Sequence, residues 1–197
     1  MSRFDLKMMT EAAPGRSCGQ CSLCCFLLDV PEAGKPKSGW CPHARPGKGG
    51  CAIHESRPGV CRTYNCQWLV DATIPDRWQP LKCKMLLDYS DSGSGDGMVL
   101  GIHVHPQFAN RWREEPYYTD IREAARRGLD GSMPGFYRTM IFVFEKVTHL
   151  VLPGGAVPAG PGAVLRVGEN EWKFVPTKND EEARMLVTNF QRTTQRS

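Results

Sequence analysis

The chain has 197 residues, 41% hydrophobic and 23% charged, which suits one ordinary domain or a small module joined to a larger one and argues against global disorder. Its net charge of +4 is too mild to mark a nucleic-acid binder by itself, because such proteins gather basic residues on one face. No stretch approaches the roughly 18 apolar residues that cross a membrane, and residues 1–15 lack the apolar centre of a secretory signal, so the expectation is a cytoplasmic chain with no membrane partner.

Segment 15–70 is rich in Gly, Pro and Cys and poor in periodic hydrophobicity. It reads as loops and short helical turns folded around something other than an ordinary core. Arg57-Pro58 sets up one such turn, with proline at its first position, carrying Cys61 and Arg62. Residues 84–89 and 98–105 then read as two strands joined by the Gly/Ser/Asp turn 90–97, with Pro106 ending the second. The spacing of Ile121, Ala124, Ala125 and Leu129 predicts a helix over 118–127, stopped by Gly128. Residues 137–147 read as one strand. Residues 149–152 and 163–167 read as short strands around a Gly/Pro loop at 153–162, and 172–175 continues the β character. A closing helix over 180–191 follows, with Asn179 as its N-cap and Ala183, Leu186, Val187 and Phe190 on its apolar face. The fold class expected is α+β: a cysteine-rich module over 15–70, packed with a small mixed sheet and two helices over 82–191.

Eight of the nine cysteines lie between Cys18 and Cys66, and only Cys83 falls outside. In a reducing compartment that density points to metal or redox chemistry rather than a disulfide framework, and an odd total leaves one thiol over. The core of the pattern is Cys18-Gly19-Gln20-Cys21-Ser22-Leu23-Cys24-Cys25. Two cysteines separated by two residues can turn both sulfurs into one tetrahedral site, and here that unit occurs twice, overlapping at Cys21. Gly19 gives the turn backbone freedom. Adjacent Cys24 and Cys25 tend to point to different sides and so could serve two ions. Cys41, Cys51, Cys61 and Cys66 follow, with His43 and His54 beside them; Lys35, Lys37, Arg45, Lys48, Arg57 and Arg62 could offset thiolate charge.

In order, these residues resemble the YkgJ-type cysteine-cluster family, which carries a CxxCxxCC signature and is described as zinc- or iron-chelating. The likeness covers residues 15–70: the Cys18–Cys25 run, Cys41-Pro42, Cys51-Ala52-Ile53, Arg57-Pro58-Gly59-Val60-Cys61-Arg62 and Cys66. It implies all eight cysteines as metal ligands. His54 departs from the pattern, where an aromatic residue is usual.

The remaining candidates have blander readings. Cys83 reads as a buried small hydrophobe, and His103 and His105 share a strand face that solvent would cover. Arg111 to Glu115, with Arg122, Arg126 and Arg127, mix both signs and read as a solvated surface rather than a nucleic-acid groove. Trp112, Tyr117 and Tyr118 read as packing the helix onto the sheet. No P-loop, dinucleotide fingerprint, nucleophile elbow or His-Glu-x-x-His run is present, so no enzyme mechanism is visible. The leading expectation is a thiolate-rich zinc site that is structural or sequestering. Its alternatives are iron, including a [4Fe-4S] cluster held by Cys18, Cys21, Cys24 and Cys41, and a zinc-based module that binds RNA or a protein.

Overall fold

The computed structural model describes residues 11–35, 39–46, 49–91, 98–130, 137–143, 146–169 and 171–194. Its architecture is α+β, built on a five-stranded mixed sheet in the order β1-β2-β3-β4-β5. The strands are β1 (Met85–Asp91), β2 (Met98–Val104), β3 (Tyr137–Val143), β4 (Lys146–Leu152) and β5 (Gly155–Pro158). All neighbours are antiparallel except β2 and β3, which run parallel with a helix between them in sequence. A separate hairpin, β6 (Gly162–Gly168) and β7 (Glu171–Pro176), carries the closing helix. Among the described residues the α-helices are α1 (Cys24–Leu27), α2 (Gly59–Thr63), α3 (Gln67–Val70), α4 (Pro80–Cys83), α5 (Tyr117–Leu129) and α6 (Asp180–Thr194).

Alternation along the strands divides the sheet into two faces. Met85, Leu87, Leu100, Ile102, Val104, Ile141 and Val151 turn to one side and meet Trp68, Leu69, Trp78, Trp112, Tyr117, Ile121 and Ala125 in the main core. Helix α5 supplies its share because Tyr117, Ile121 and Ala125 recur every four residues along one stripe. Leu86 turns to the opposite side, where Leu23 and Leu27 of the cysteine segment close over it. At the far end of that face Met140, Leu150 and Leu152 pack with Val164, Trp172 and Phe174 of the hairpin. Helix α6 lays Leu186, Val187 and Phe190 beside Ala163 and Leu165. Asn179 caps it, accepting from the Glu182 amide at 2.9 Å, while Glu182 reaches back to the Lys178 amide.

Several local expectations need correction. Residues 137–147 are two strands, β3 and β4, not one; the run has no Gly or Pro to betray the reversal, and the bulge at Ile141/Phe142 absorbs the irregular pairing. The Gly/Pro stretch 153–162 contains β5, an edge strand, where proline at its end costs no ladder bond. Gly128 lies buried inside α5 rather than ending it, since Leu129 still has apolar surface to bury. Pro58 is the N-cap of α2 rather than its first residue, and Cys83 ends α4. Of the turn expected at 90–97, Ser90 and Asp91 are the end of β1, and 92–97 lie outside the described residues.

Candidate metal centre

The cysteine segment reaches its shape through backbone bonds and a few apolar pins. Gly19 adopts φ +49°, the left-handed conformation its turn requires, and the Cys21 amide closes the turn onto the Cys18 carbonyl at 2.8 Å. Leu23 and Leu27, buried against Leu86, fix α1, so that Cys24 and Cys25 are presented from a single helical turn. The Cys41 amide donates to the Cys25 carbonyl at 2.9 Å, and the Ala44–Cys51 bridge folds Cys51 back beside it. Cys61 comes in on α2, and Cys66 stands at the N-cap of α3, whose Trp68 and Leu69 enter the main core.

These separate pieces place all eight cysteines, Cys18, Cys21, Cys24, Cys25, Cys41, Cys51, Cys61 and Cys66, on the wall of one cavity of about 330 Å³. None is in a disulfide. His43 and His54 line it too, although His54 Nε2 lies 2.8 Å from Arg57 Nη1. Of the expected counter-charges, Arg57 and the buried Lys35 line the cavity, whereas Arg45 and Arg62 are exposed; Lys37 and Lys48 lie outside the described residues. Among the described residues, no three His, Cys, Asp or Glu side chains are already gathered in an arrangement that could hold an ion. The sulfurs therefore share a chamber without converging on one point.

The electrostatics set Cys66 apart from Cys61 and leave Cys25 bearing on both neighbourhoods. The Cys24 thiol hydrogen-bonds the Cys25 sulfur, and that bond, helped by Lys35 and Arg57, brings Cys25 down to about 7 while holding Cys24 well above the ordinary thiol range. Burial raises Cys66 to about 11 and also raises Cys21, although amide hydrogen bonds from Leu69 and Leu23 favour their thiolates. The charges bearing on Cys66 are those of Cys21 and Cys18, whereas Cys61 lies in the field of Cys25, Cys41 and Cys51. Packing agrees, because Cys21, Cys24 and Cys66 sit against the same apolar cluster. Cys66 thus groups with Cys18, Cys21 and Cys24, and Cys61 with Cys41 and Cys51, while Cys25 bears on Cys18, Cys21 and Cys24 as well as on Cys61.

The donor set fits a soft or borderline cation. Thiolates suit zinc and iron, two amide donors already serve sulfurs, and two cations stand by to balance excess charge. Cys83 takes no part: it is fully buried, its thiol donates to the Met85 carbonyl at 3.2 Å, and burial pushes it up to about 12. His103 and His105 form no site together. His103 is stacked on Phe142 at 4.7 Å and largely buried, whereas His105, just past the end of β2, is stacked on Phe26 at 4.7 Å and stays half-exposed, so only His103 leaves the solvated face expected from alternation. The polar wall residues Tyr64 and Asp88 also line the cavity and carried no motif in the sequence; only the burial of a tyrosine beside Cys66 and of an aspartate on β1 reveals them.

Among the described residues no helix is long and apolar enough to cross a membrane. No family model, curated protein or solved structure matches the chain.

Proposed function

We propose that this is a metal-binding protein whose cysteine segment holds two ions, zinc in the first instance, in two four-thiolate sites with a structural or sequestering role. The observation that carries the reading is the single cavity walled by all eight clustered cysteines, brought together from residue 18 to residue 66. Cys18, Cys21, Cys24 and Cys66 would hold one ion, and Cys25, Cys41, Cys51 and Cys61 the other. The resemblance of this spacing to the YkgJ-type signature supports the same ligands.

Neutral thiols attract one another too weakly to draw four sulfurs to a point; a cation supplies that convergence, and its binding energy becomes folding energy. The ions would supply charge neutralisation and cross-links. The chain's own residues do the rest: amides of Leu23 and Leu69 stabilise thiolate at Cys21 and Cys66, and Lys35 and Arg57 offset charge around Cys25. Closed four-thiolate coordination leaves no position for substrate, which favours storage or structure over hydrolysis.

Iron is the second reading, and one feature favours it at the first set. Cys18, Cys21 and Cys24 repeat the spacing of the first three ligands of a ferredoxin-like run. Cys66 packs with Cys21 and Cys24, so it replaces Cys41 as the fourth ligand of a [4Fe-4S] cluster there. Elemental analysis and the visible spectrum of anaerobically purified protein decide between these. Two zinc per chain without colour is expected; iron with acid-labile sulfide would transfer the case to the second reading. Cys66→Ser and Cys61→Ser should each lose one ion and keep the other. A single variant that abolished both would overturn the two-site division, and metal-free protein with freely titrating thiols would overturn metal binding.

A further inference from the structure

Six buried side-chain nitrogen or oxygen atoms among the described residues have no hydrogen-bond partner, and three belong to residues lining the cysteine cavity: Arg57 Nε, Tyr64 Oη and Trp68 Nε1. The arginine and tryptophan nitrogens can only donate, and a phenol is a strong donor. What all three lack is therefore an acceptor. Buried donors left unpaired are costly, so three in residues around one cavity mark a demand its walls are built to meet. The acceptors on the cavity wall include eight sulfurs, which accept weakly as thiols and far better as thiolates.

We propose that Tyr64, Trp68 and Arg57 are hydrogen-bond donors to the thiolate sulfurs of the metal centre, holding their negative charge and damping their nucleophilicity; this rests on the metal-binding reading above. Tyr64 lies in the field of Asp88 first and then of Cys66, Cys24 and Cys18, three members of the first set. Trp68 follows Cys66 by two residues in the same turn. Arg57 bears on Cys18, Cys25 and Cys61, and so spans both sets. Asp88 is another acceptor on the wall, yet Tyr64 Oη makes no hydrogen bond to it. These three are positioning residues rather than ligands, and they extend to side chains what the Leu23 and Leu69 amides do from the backbone.

Tyr64→Phe is the cleanest test, because it keeps the ring packed beside Leu23 and Leu86 and removes one oxygen. Zinc affinity would be measured by chelator competition, the alkylation rate of the zinc-loaded thiolates by mass spectrometry, and the melting temperature with and without zinc. The variant should bind zinc about tenfold to a hundredfold more weakly and alkylate faster when loaded. Its metal-free form should melt no lower than wild type, since an unpaired donor has been removed. Trp68→Phe should repeat the affinity and alkylation changes. Its smaller ring also leaves a core cavity, so it should melt lower in both forms and lose more melting temperature with zinc than without. It carries the test alone should Tyr64→Phe fail to fold. Wild-type affinity and alkylation in both variants would overturn this assignment while leaving metal binding intact. An equal stability loss with and without zinc would make the residues merely structural. Wild-type protein that takes up no metal would overturn both readings.

Discussion

His103 shows how a strand position sets the chemistry of one side chain. Its ring is stacked on Phe142 and lies over Gly101, where a methyl group would stand 2.9 Å from Nε2. Burial pulls its pKa down to about 4. The unfolded chain takes up that proton near 6.5, so between pH 6.5 and 4 the unfolded state holds more protons, and stability falls as pH falls. Asp88 shares this sheet face, because it pairs with Gly101 while Leu86 pairs with His103. Burial raises its carboxyl to about 6, which acts the other way: the unfolded state loses the proton first, and stability falls as pH rises from about 4 to 6. The two effects oppose each other over that range. His103→Leu should expose the Asp88 trend, so that relative to wild type it gains about 2 kcal/mol in urea unfolding between pH 7 and pH 4.5. Parallel pH profiles for the two proteins would show that His103 binds its proton equally in both states. Arg16 works by reach instead. Its guanidinium donates to the carbonyls of Trp68, Asp71 and Ile74 and lies 4.9 Å from the Trp68 ring centroid. Lysine cannot span three carbonyls with one ammonium, so Arg16→Lys should cost about 1–2 kcal/mol in thermal or urea unfolding. An unchanged melting temperature would mean the carbonyls are equally well served by water.

At the scale of elements, the β6–β7 hairpin depends on one missing side chain. A Cβ on Gly162 would stand 2.3 Å from Phe174 Cζ and 2.7 Å from the Val175 carbonyl oxygen. Gly162→Ala should therefore destabilise the protein by about 2 kcal/mol. Adding Phe174→Ala should not restore wild-type stability, because the carbonyl clash remains and a core contact is lost; full recovery would place the whole cost in the ring. Contacts of this kind explain which parts of the molecule could be read beforehand. Strands β1 and β2 and helices α5 and α6 announce themselves through local period, since Leu86 and Leu87 take opposite faces and Ile121 and Ala125 share one. The β3–β4 reversal and the edge strand β5 do not, because both are fixed by pairing across the sheet rather than by their own residues. The gathering of the cysteines was legible in part because each Cys-x-x-Cys turn is local, and all eight do wall one cavity. The sorting of Cys66 with Cys21, and the inward placement of Tyr64 and Asp88, depend on how α3 and β1 close the cavity, which no local pattern encodes.

Across the whole molecule, the cysteine segment and the sheet are held by unlike forces. Among the described residues from 11 to 70 the longest regular element is the five-residue α2, and Leu23, Leu27, Trp68 and Leu69 are the segment's main anchors in the sheet's cores. The sheet has Ile102, Val104, Ile141 and Val151 packed under α5 and needs no ion for that burial. On the zinc reading proposed above, removing metal should remove about 10 kcal/mol or more of folding energy per zinc from the segment alone. Thiol titration after chelation reads this directly, because Cys83 is fully buried among sheet and helix residues and reports on the other half. Eight thiols should become reactive on chelation while the ninth stays protected until denaturant is added. Should all nine react together, the anchors at Trp68 and Leu69 would be carrying the sheet as well, and segment and sheet would unfold as one cooperative body.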